Sequence, residues 1–523
     1  MNAEAMLTPE RLLLLFPLLP VIGIIIIAFS NYIVKKEIAR FVVPVFTLLQ
    51  AAAGIILIAA GPELYTVVDV SPLEASVRFS FSRERIWILG AFIVPALFAA
   101  GKIQQFGSES LRTVFLFYLA AGSGILVTSD IFNFFVFYEL MIMTAYVLIS
   151  VQGKVYASIK YMFVGALSSV FFLTGIILVY ASGLPFSFSG LSDLSVLPAA
   201  NARLIMSFFF SAFCIKSAMF PASPWLPTCH SAGNGTVSAF LSSFTVVSGF
   251  FGMYYLVLVP AEGAGYTQFY TLLQAVSLLT MGMSSLFIFF DTDIKRAIAG
   301  STAFIAGVIG YLFATGNTGT AWVYIFIHAV YKSILFHMSD DIAKQPLRLG
   351  GRLLPFITMG FAVLFAGGIF PSIPHYLKKE MFSSSPLISA VLYGSTALLL
   401  AGFLKFSYKK HSSRPPLPVY PYILTFLLLP AGYLLLIFPG FARPLQDLPP
   451  LKGVFSGDLT AYIPELAAVA AAFLLGRVLF PRIGRLANLD SRYIFRTLNI
   501  ELFALLLLFS AIVVYINVLP ILN

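Results

Sequence analysis

Apolar runs of about twenty residues follow one another along nearly the whole chain, and this feature restricts the fold more than any other. As a helix rising about 1.5 Å per residue, each run covers about 30 Å, the thickness of a bilayer's hydrocarbon layer. The bilayer core offers the backbone no water, so a spanning segment is either a helix or a strand of a closed barrel. Barrel strands alternate with period two and these runs do not. The sequence therefore predicts an all-α polytopic membrane protein with about sixteen transmembrane helices. They are centred near residues 20, 50, 94, 120, 140, 170, 212, 245, 280, 305, 326, 363, 396, 432, 470 and 510. Composition agrees, with 59% hydrophobic and only 10% charged residues over 523 positions. The longest polar stretches, near 62 to 85 and 443 to 458, read as loops, so catalysis on a large soluble substrate is not expected. The first span, Leu12 to Phe29, is too long and continuous for a cleaved signal and is expected to be retained.

A net charge of +10 could suggest nucleic acid, but its distribution points to topology instead. Assigned to alternating sides of the spans, most of the 32 Lys and Arg residues collect on one face. These include Lys35, Lys36, Arg40, Lys102, Arg112, Lys154, Lys160, Lys295 and Arg296, with Arg78, Arg83, Arg85 and Arg203 on the other. The positive-inside rule then predicts both termini outside.

Two spans are interrupted by prolines. One break runs from Lys216 to Pro227 (KSAMFPASPWLP) and the other from Gly367 to Lys379 (GGIFPSIPHYLKK, with Pro371 and Pro374). Irregular backbone at membrane depth survives only where protein or a water-filled cavity surrounds it. Paired discontinuous helices in two halves of a chain point to an internal repeat with ion sites at the breaks.

Ionisable residues inside the spans cost several kcal/mol each and usually face a cavity or a partner. Glu139 lies in FNFFVFYELMIMTAYVLIS, Lys216 in IMSFFFSAFCIKSAMF, and Lys332 in AWVYIFIHAVYKSILF with His328 one turn earlier on the same face. In low dielectric both charged forms are disfavoured, so a carboxylate and an amine can pass a proton as their pairing changes. The plainer alternative is a static ion pair locking helices together.

Other signals carry their ordinary structural meaning. His230, His337 and His375 sit near span ends, where solvent exposure is expected, and no metal-ligand set forms. Cys214 and Cys229 can build neither a disulfide framework nor an iron–sulfur ligand set, so no cofactor is expected on this chain. Asn234-Gly235-Thr236 falls on the inner side and reads as an accidental glycosylation match. The Phe208–Phe210 and Phe287–Phe290 runs read as lipid or helix contacts. The absence of a glycine-rich phosphate loop argues against direct drive by ATP.

The glutamate helix FNFFVFYEL, the lysine helix running into FPASPWLPTCH and VSAFLSS, the DTDIKRAIAGST segment and HAVYKSILF stand in one order over roughly residues 85 to 440. In these segments the chain resembles the antiporter-like subunits shared by respiratory complex I, membrane-bound hydrogenases and Mrp-type cation/proton antiporters, most nearly the Mrp D-type member. The resemblance implies two inverted five-helix repeats, spans 4–8 (111–260) and 9–13 (261–410), with broken helices at spans 7 and 12. Spans 1–3 (1–110) precede them and spans 14–16 (411–523) follow. It also implies a proton relay of Glu139, Lys216, His328 and Lys332, completed by Lys378 or Lys379, since PHYLKKE aligns with either.

Two departures stand out. The family's acid after the first break is Thr228 here, and the usual span 8 lysine is replaced by Val247. The implied function is proton translocation within a multi-subunit ion-pumping complex, redox-driven or Mrp-type, in a bacterial or archaeal cytoplasmic membrane. The expected partners are other membrane subunits, protons or sodium, and the lipid bilayer, without nucleic acid. Enzymatic activity is not expected from this chain alone. The alternatives are a sodium/proton antiporter subunit, a non-conducting structural subunit, and a subunit energising inorganic-carbon uptake.

Overall fold

The computed structural model describes residues 9–344 apart from positions 36, 62, 71–74, 151–154, 193 and 292, together with 386–407 and a few positions beyond 466. Lys378, Lys379, His375, the second proline break and the spans expected near 363 and 432 lie outside the described residues. So do all but a few positions of those near 470 and 510. The chain divides into two compact units. The first comprises Met1–Ser217, Ala232–Leu272 and Ala504–Asn523, and the second comprises Ala218–Ser231 and Leu273–Phe503.

The first unit holds α1 (Pro9–Phe29), α2 (Ala39–Ala60), α3 (Arg83–Ala100), α4 (Glu109–Val127), α5 (Ile131–Ser150), α6 (Val155–Ala181) and α7 (Ala199–Lys216). An eighth span is built from α9 (Gly235–Phe240), α10 (Val246–Met253) and α11 (Val259–Gly263), joined by π-helical turns at Leu241–Thr245 and Tyr254–Leu258. Short polar residues set the helix starts. Ser108 accepts from the Leu111 N–H at the head of α4, and Asn234 accepts from the Val237 N–H at 2.8 Å at the head of α9. Successive helices α4 to α7 pack on one another, and α10 packs on α7.

The stretch read as a loop at 62 to 85 contains a β-hairpin instead. β1 (Leu64–Val70) pairs antiparallel with β2 (Ala75–Phe81), Leu64 opposite Phe81 and Val67 opposite Arg78. The cause is local: in β2, Val77, Phe79 and Phe81 alternate with Arg78 and Ser80, the period-two pattern of a strand with one face covered. Phe79 and Phe81 are buried, and Ser129 N–H continues the pairing to Arg78 O at 2.9 Å.

The second unit holds α8 (Trp225–Ala232) nearly whole, most of α12 (Gln268–Phe290), α13 (Ile294–Ala314), α14 (Thr318–Lys344) and α15 (Pro386–Ser407). Asp293 caps α13 by accepting from Lys295 N–H at 2.8 Å and Arg296 N–H at 3.2 Å. Asp291 pairs with Arg296 at 2.8 Å, so the acidic pair of DTDIKRAIAGST pins the entry to this helix.

Among the described residues ten helical segments are long and apolar enough to cross a membrane, and they coincide with the spans expected near 20, 50, 120, 140, 170, 212, 245, 280, 305 and 326. The segment expected near 94 is helical as α3, with Arg83, Glu84 and Arg85 in its first turn. Of the apolar windows in Ile294–Ala314 and Thr318–His337, 94% of residues are buried, against 39% in α1 and α2. The inner helices α13 and α14 can therefore hold charge away from lipid.

Two basic residues assigned to loops belong inside the protein. Lys160 is 2% exposed within α6, and Arg85 is 2% exposed at the start of α3. His230 and His337 are likewise buried, at 0% and 1%, rather than exposed at span ends.

Candidate functional site

The first site is built where α7 stops. Pro221 and Pro224 lack the N–H a helix needs, so the chain leaves helical geometry after Lys216 and resumes it at Trp225, with Pro227 tolerated in the first turn of α8. Lys216 is thus the last residue of α7, where the unsatisfied carbonyl ends carry partial negative charge that favours a cation. Its side chain is 3% exposed.

Three neighbours surround this amine. The Lys216 Nζ lies 4.7 Å from the centroid of the Tyr138 ring and 5.6 Å from that of Tyr161. Such contacts are worth about 2 kcal/mol or more once desolvated. Ser168 donates to Ala212 O at 2.8 Å, which leaves its oxygen to accept from the Tyr138 hydroxyl at 2.5 Å. The Glu139 carboxylate is the charge acting on Lys216 through space, yet its buried Oε1 has no hydrogen-bond partner. Glu139 itself is half-buried. The structure therefore brings Glu139 and Lys216 into one cluster without a direct ion pair.

Gly249 on α10 closes this site from the side. A Cβ there would stand 2.9 Å from the Ser217 backbone nitrogen and 3.1 Å from the Lys216 Cβ, so α10 approaches the end of α7 as closely as it does only because this residue has no side chain. Val247, at the position where the resemblance expects a lysine, is buried at 1% exposure.

The second site lies in the other unit, on α13 and α14. The fully buried Lys332 Nζ donates to Ile298 O at 2.5 Å and to Ser301 Oγ. His328 Nδ1 shares a hydrogen bond of 2.9 Å with the Tyr331 hydroxyl, while the Lys332 amine bonds to α13. His230 on α8 joins this group: its ring stands 6.1 Å from Trp225 and 5.7 Å from Phe336, while Lys332 Nζ is 5.8 Å from the same Phe336 ring. The Lys332 charge acts on the His230 imidazole.

Of the six residues expected in the relay, four are buried or half-buried within apolar helices, and Lys378 and Lys379 lie outside the described residues. Sequence reading missed Tyr138, Tyr161, Ser168, Ser301, Tyr331 and His230. For His230 the available signal was its place in FPASPWLPTCH, which joins it to the broken helix. For Tyr138 and Tyr161 no signal existed, because their partners come from other helices, whereas Tyr331 stands one turn from His328 on the same helix. Among the described residues no group of His, Cys, Asp and Glu could hold a metal ion, and Cys214 and Cys229 are buried and not joined in a disulfide.

Comparison with known proteins gives a consistent picture. A family model described as "NADH:quinone oxidoreductase/Mrp antiporter, TM" matches residues 128–405, more than half of the chain. The N-type subunit of the NADH-quinone oxidoreductase of Desulforudis audaxviator is 26% identical over 277 residues, covering 50% of this chain and 54% of that protein. The D-type subunit of the Na(+)/H(+) antiporter of Alkalihalophilus pseudofirmus is 25% identical over 340 residues, covering 60% of this chain and 64% of that protein. The matched stretches thus span about half to two thirds of these relatives' length. A chain in the structure of the membrane-bound sulfane sulfur reductase, an archaeal respiratory membrane complex, superposes with a TM-score of 0.73 at 18% identity. That likeness covers 83% of this chain and 96% of that one.

Proposed function

This chain belongs to the NADH:quinone oxidoreductase/Mrp antiporter transmembrane family, and on that premise we propose that it is the proton-translocating, antiporter-like subunit of a multi-subunit ion-pumping complex. The observation that carries the reading is the burial of two lysines, Lys216 and Lys332, in predominantly apolar helices at 3% and 0% exposure. Amines placed there are costly and are kept for ion pathways more often than for stability.

In this reading Glu139 and Lys216 form one proton-exchanging couple, and His328 with Lys332 and the span 12 lysine form another. A charge change in a neighbouring subunit joins or separates Glu139 and Lys216, alters how tightly the amine holds its proton, and sends that proton along internal water. The proposal includes the finer architecture of about sixteen helices in two inverted five-helix repeats, with both termini on the outer face. Its setting is a bacterial or archaeal cytoplasmic membrane, with other membrane subunits as partners.

A second reading, sodium/proton exchange, is favoured by the relative from a Na(+)/H(+) antiporter. The buried Val247 supports a third, a subunit that anchors partners and conducts nothing. Substituting Lys216→Ala in the assembled complex tests the proposal. Proton translocation is expected to be abolished with assembly intact, and unchanged pumping would refute it. Sodium uptake measured on the same vesicles separates the two transported ions.

A further inference from the structure

Lys216 reaches two kinds of partner from one position. Glu139 and Tyr138 are consecutive on α5, so their side chains leave the helix about 100° apart, and the flexible four-carbon stem of a lysine can turn from one to the other. In the structure the amine rests on rings: its Nζ is 4.7 Å from the Tyr138 centroid and 5.6 Å from the Tyr161 centroid, while Glu139 Oε1 is buried with no hydrogen-bond partner.

The Tyr138 ring is held in place from several sides. Its hydroxyl donates to Ser168 Oγ, itself anchored to Ala212 O on α7, and its edge and face meet Phe172 at 5.6 Å and 89°. Tyr138 is 0% exposed. A ring so fixed is a pre-organised cation receptor, since the negative π face is aimed without any ordering at the moment of use.

We infer that Tyr138 and Tyr161 are positioning residues that give the Lys216 ammonium a second resting place, so that the open form of the Glu139–Lys216 couple is a defined state rather than an ion pair pulled apart into apolar surroundings. Without such a receptor, separating the couple leaves an uncompensated buried charge. With it, the couple has two states of comparable energy, as a switch requires. The inference rests on the proposed role of Lys216 in translocation.

The test uses the native complex in proteoliposomes. Proton flux is driven by a potassium diffusion potential with valinomycin, read with an internal pH-sensitive dye, and followed from neutral to alkaline pH. The rings favour the ammonium over the neutral amine, so Tyr138→Leu is expected to move the alkaline limb of the flux profile to lower pH by about one unit. Tyr138→Phe, which keeps the ring and loses the Ser168 bond, is expected to restore most of that displacement. Tyr161→Leu supplies an independent variant with a smaller displacement in the same direction, and it decides the question should Tyr138→Leu fail to assemble.

Lys216→Ala is measured alongside. If it abolishes flux while the leucine variants leave the profile unmoved, move it to higher pH, or lower the rate without displacement, the receptor is overturned and the role of Lys216 stands. If Lys216→Ala leaves flux intact, both fall.

Discussion

The Lys332 amine donates to the main-chain carbonyl of Ile298 at 2.5 Å, although the two residues stand 34 apart in sequence and on different helices. Ser301, one turn on from Ile298, donates to that same carbonyl at 2.8 Å and accepts from the amine, so three polar groups close a small ring inside apolar helices. A buried amine with two fixed acceptors is oriented before any proton moves. Lys332→Ala is expected to lower proton flux on the order of a hundredfold, the usual contribution of a positioned proton carrier. Ser301→Ala, which leaves the carbonyl, is expected to cost only several-fold. Flux at matched complex abundance measures both. Equal losses would mean that the hydroxyl itself carries the proton.

Gly249 acts on the first site without any ionisable group of its own. A methyl group there meets the Ser217 backbone nitrogen at 2.9 Å and the Lys216 Cβ at 3.1 Å, and backbone cannot move aside as the tip of a flexible side chain would. Gly249→Ala is expected to push α10 off the end of α7, costing roughly 1–3 kcal/mol of stability and displacing Lys216. Flux should fall at least about tenfold, since a carrier displaced by about 1 Å loses its geometry. Melting temperature and flux measured together check this, and a variant that melts lower yet pumps normally would separate the two effects.

Much of the fold is legible because membrane-spanning helices announce themselves by length. The ten described crossing segments fall where runs of about twenty apolar residues stand, and the prolines at 221 and 224 mark where α7 gives way. Depth is harder to read. Lys160 lies five residues inside α6, about 8 Å from its start, and the charge-counting rule assigns any basic residue so near a span end to water, whereas its neighbours bury it. Arg85 escapes the rule for the same reason. The hairpin was hidden because the period-two signal covers only seven residues of each strand and is interrupted by Asp69. Of the candidate sites, Glu139, Lys216, His328 and Lys332 were visible as charges or imidazole in apolar runs. What they touch was less so: Ser301 and Tyr161 reach Lys332 and Lys216 from helices that no spacing rule connects, while only Tyr331, one turn from His328 on its own helix, lay within such a rule.

Arg85 illustrates a buried charge with a structural occupation. Its Nη1 donates to Ser80 O at 2.8 Å in β2 and to Leu126 O at 3.0 Å at the end of α4, and the guanidinium lies 5.1 Å from the Phe251 ring and 5.4 Å from that of Tyr255. One planar cation thus ties the hairpin, α4 and the eighth span together. Arg85→Met keeps the volume and leaves one buried and one part-buried carbonyl short of a donor, an expected loss of about 3 kcal/mol. Arg85→Lys keeps the charge without the fork and should recover only part of it. Thermal melting of the purified complex reads both, and an unshifted Arg85→Met would mean that water replaces the guanidinium.

Asp130, between the spans α4 and α5, links stability to pH. Its Oδ1 accepts from Phe132 N–H at 3.0 Å and from Asn133 N–H at 2.9 Å, capping α5. Burial raises its carboxyl above the ordinary value of 3.8, while these bonds and the Arg78 charge pull the other way and are outweighed. The folded protein therefore holds this proton to higher pH than the unfolded chain does. Stability from this residue is full below the ordinary carboxyl value and declines as pH rises through the window up to the raised one. Asp130→Asn keeps the accepting oxygen and removes the titration. Its melting temperature relative to the parent protein should climb with pH across that window and then level off. Asp130→Ala removes the cap as well and should lie about 1 kcal/mol lower than Asp130→Asn at every pH. Melting curves collected from acid to neutral pH decide the matter. A relative stability of Asp130→Asn that falls with pH would show that the capping bonds, rather than burial, govern this carboxylate.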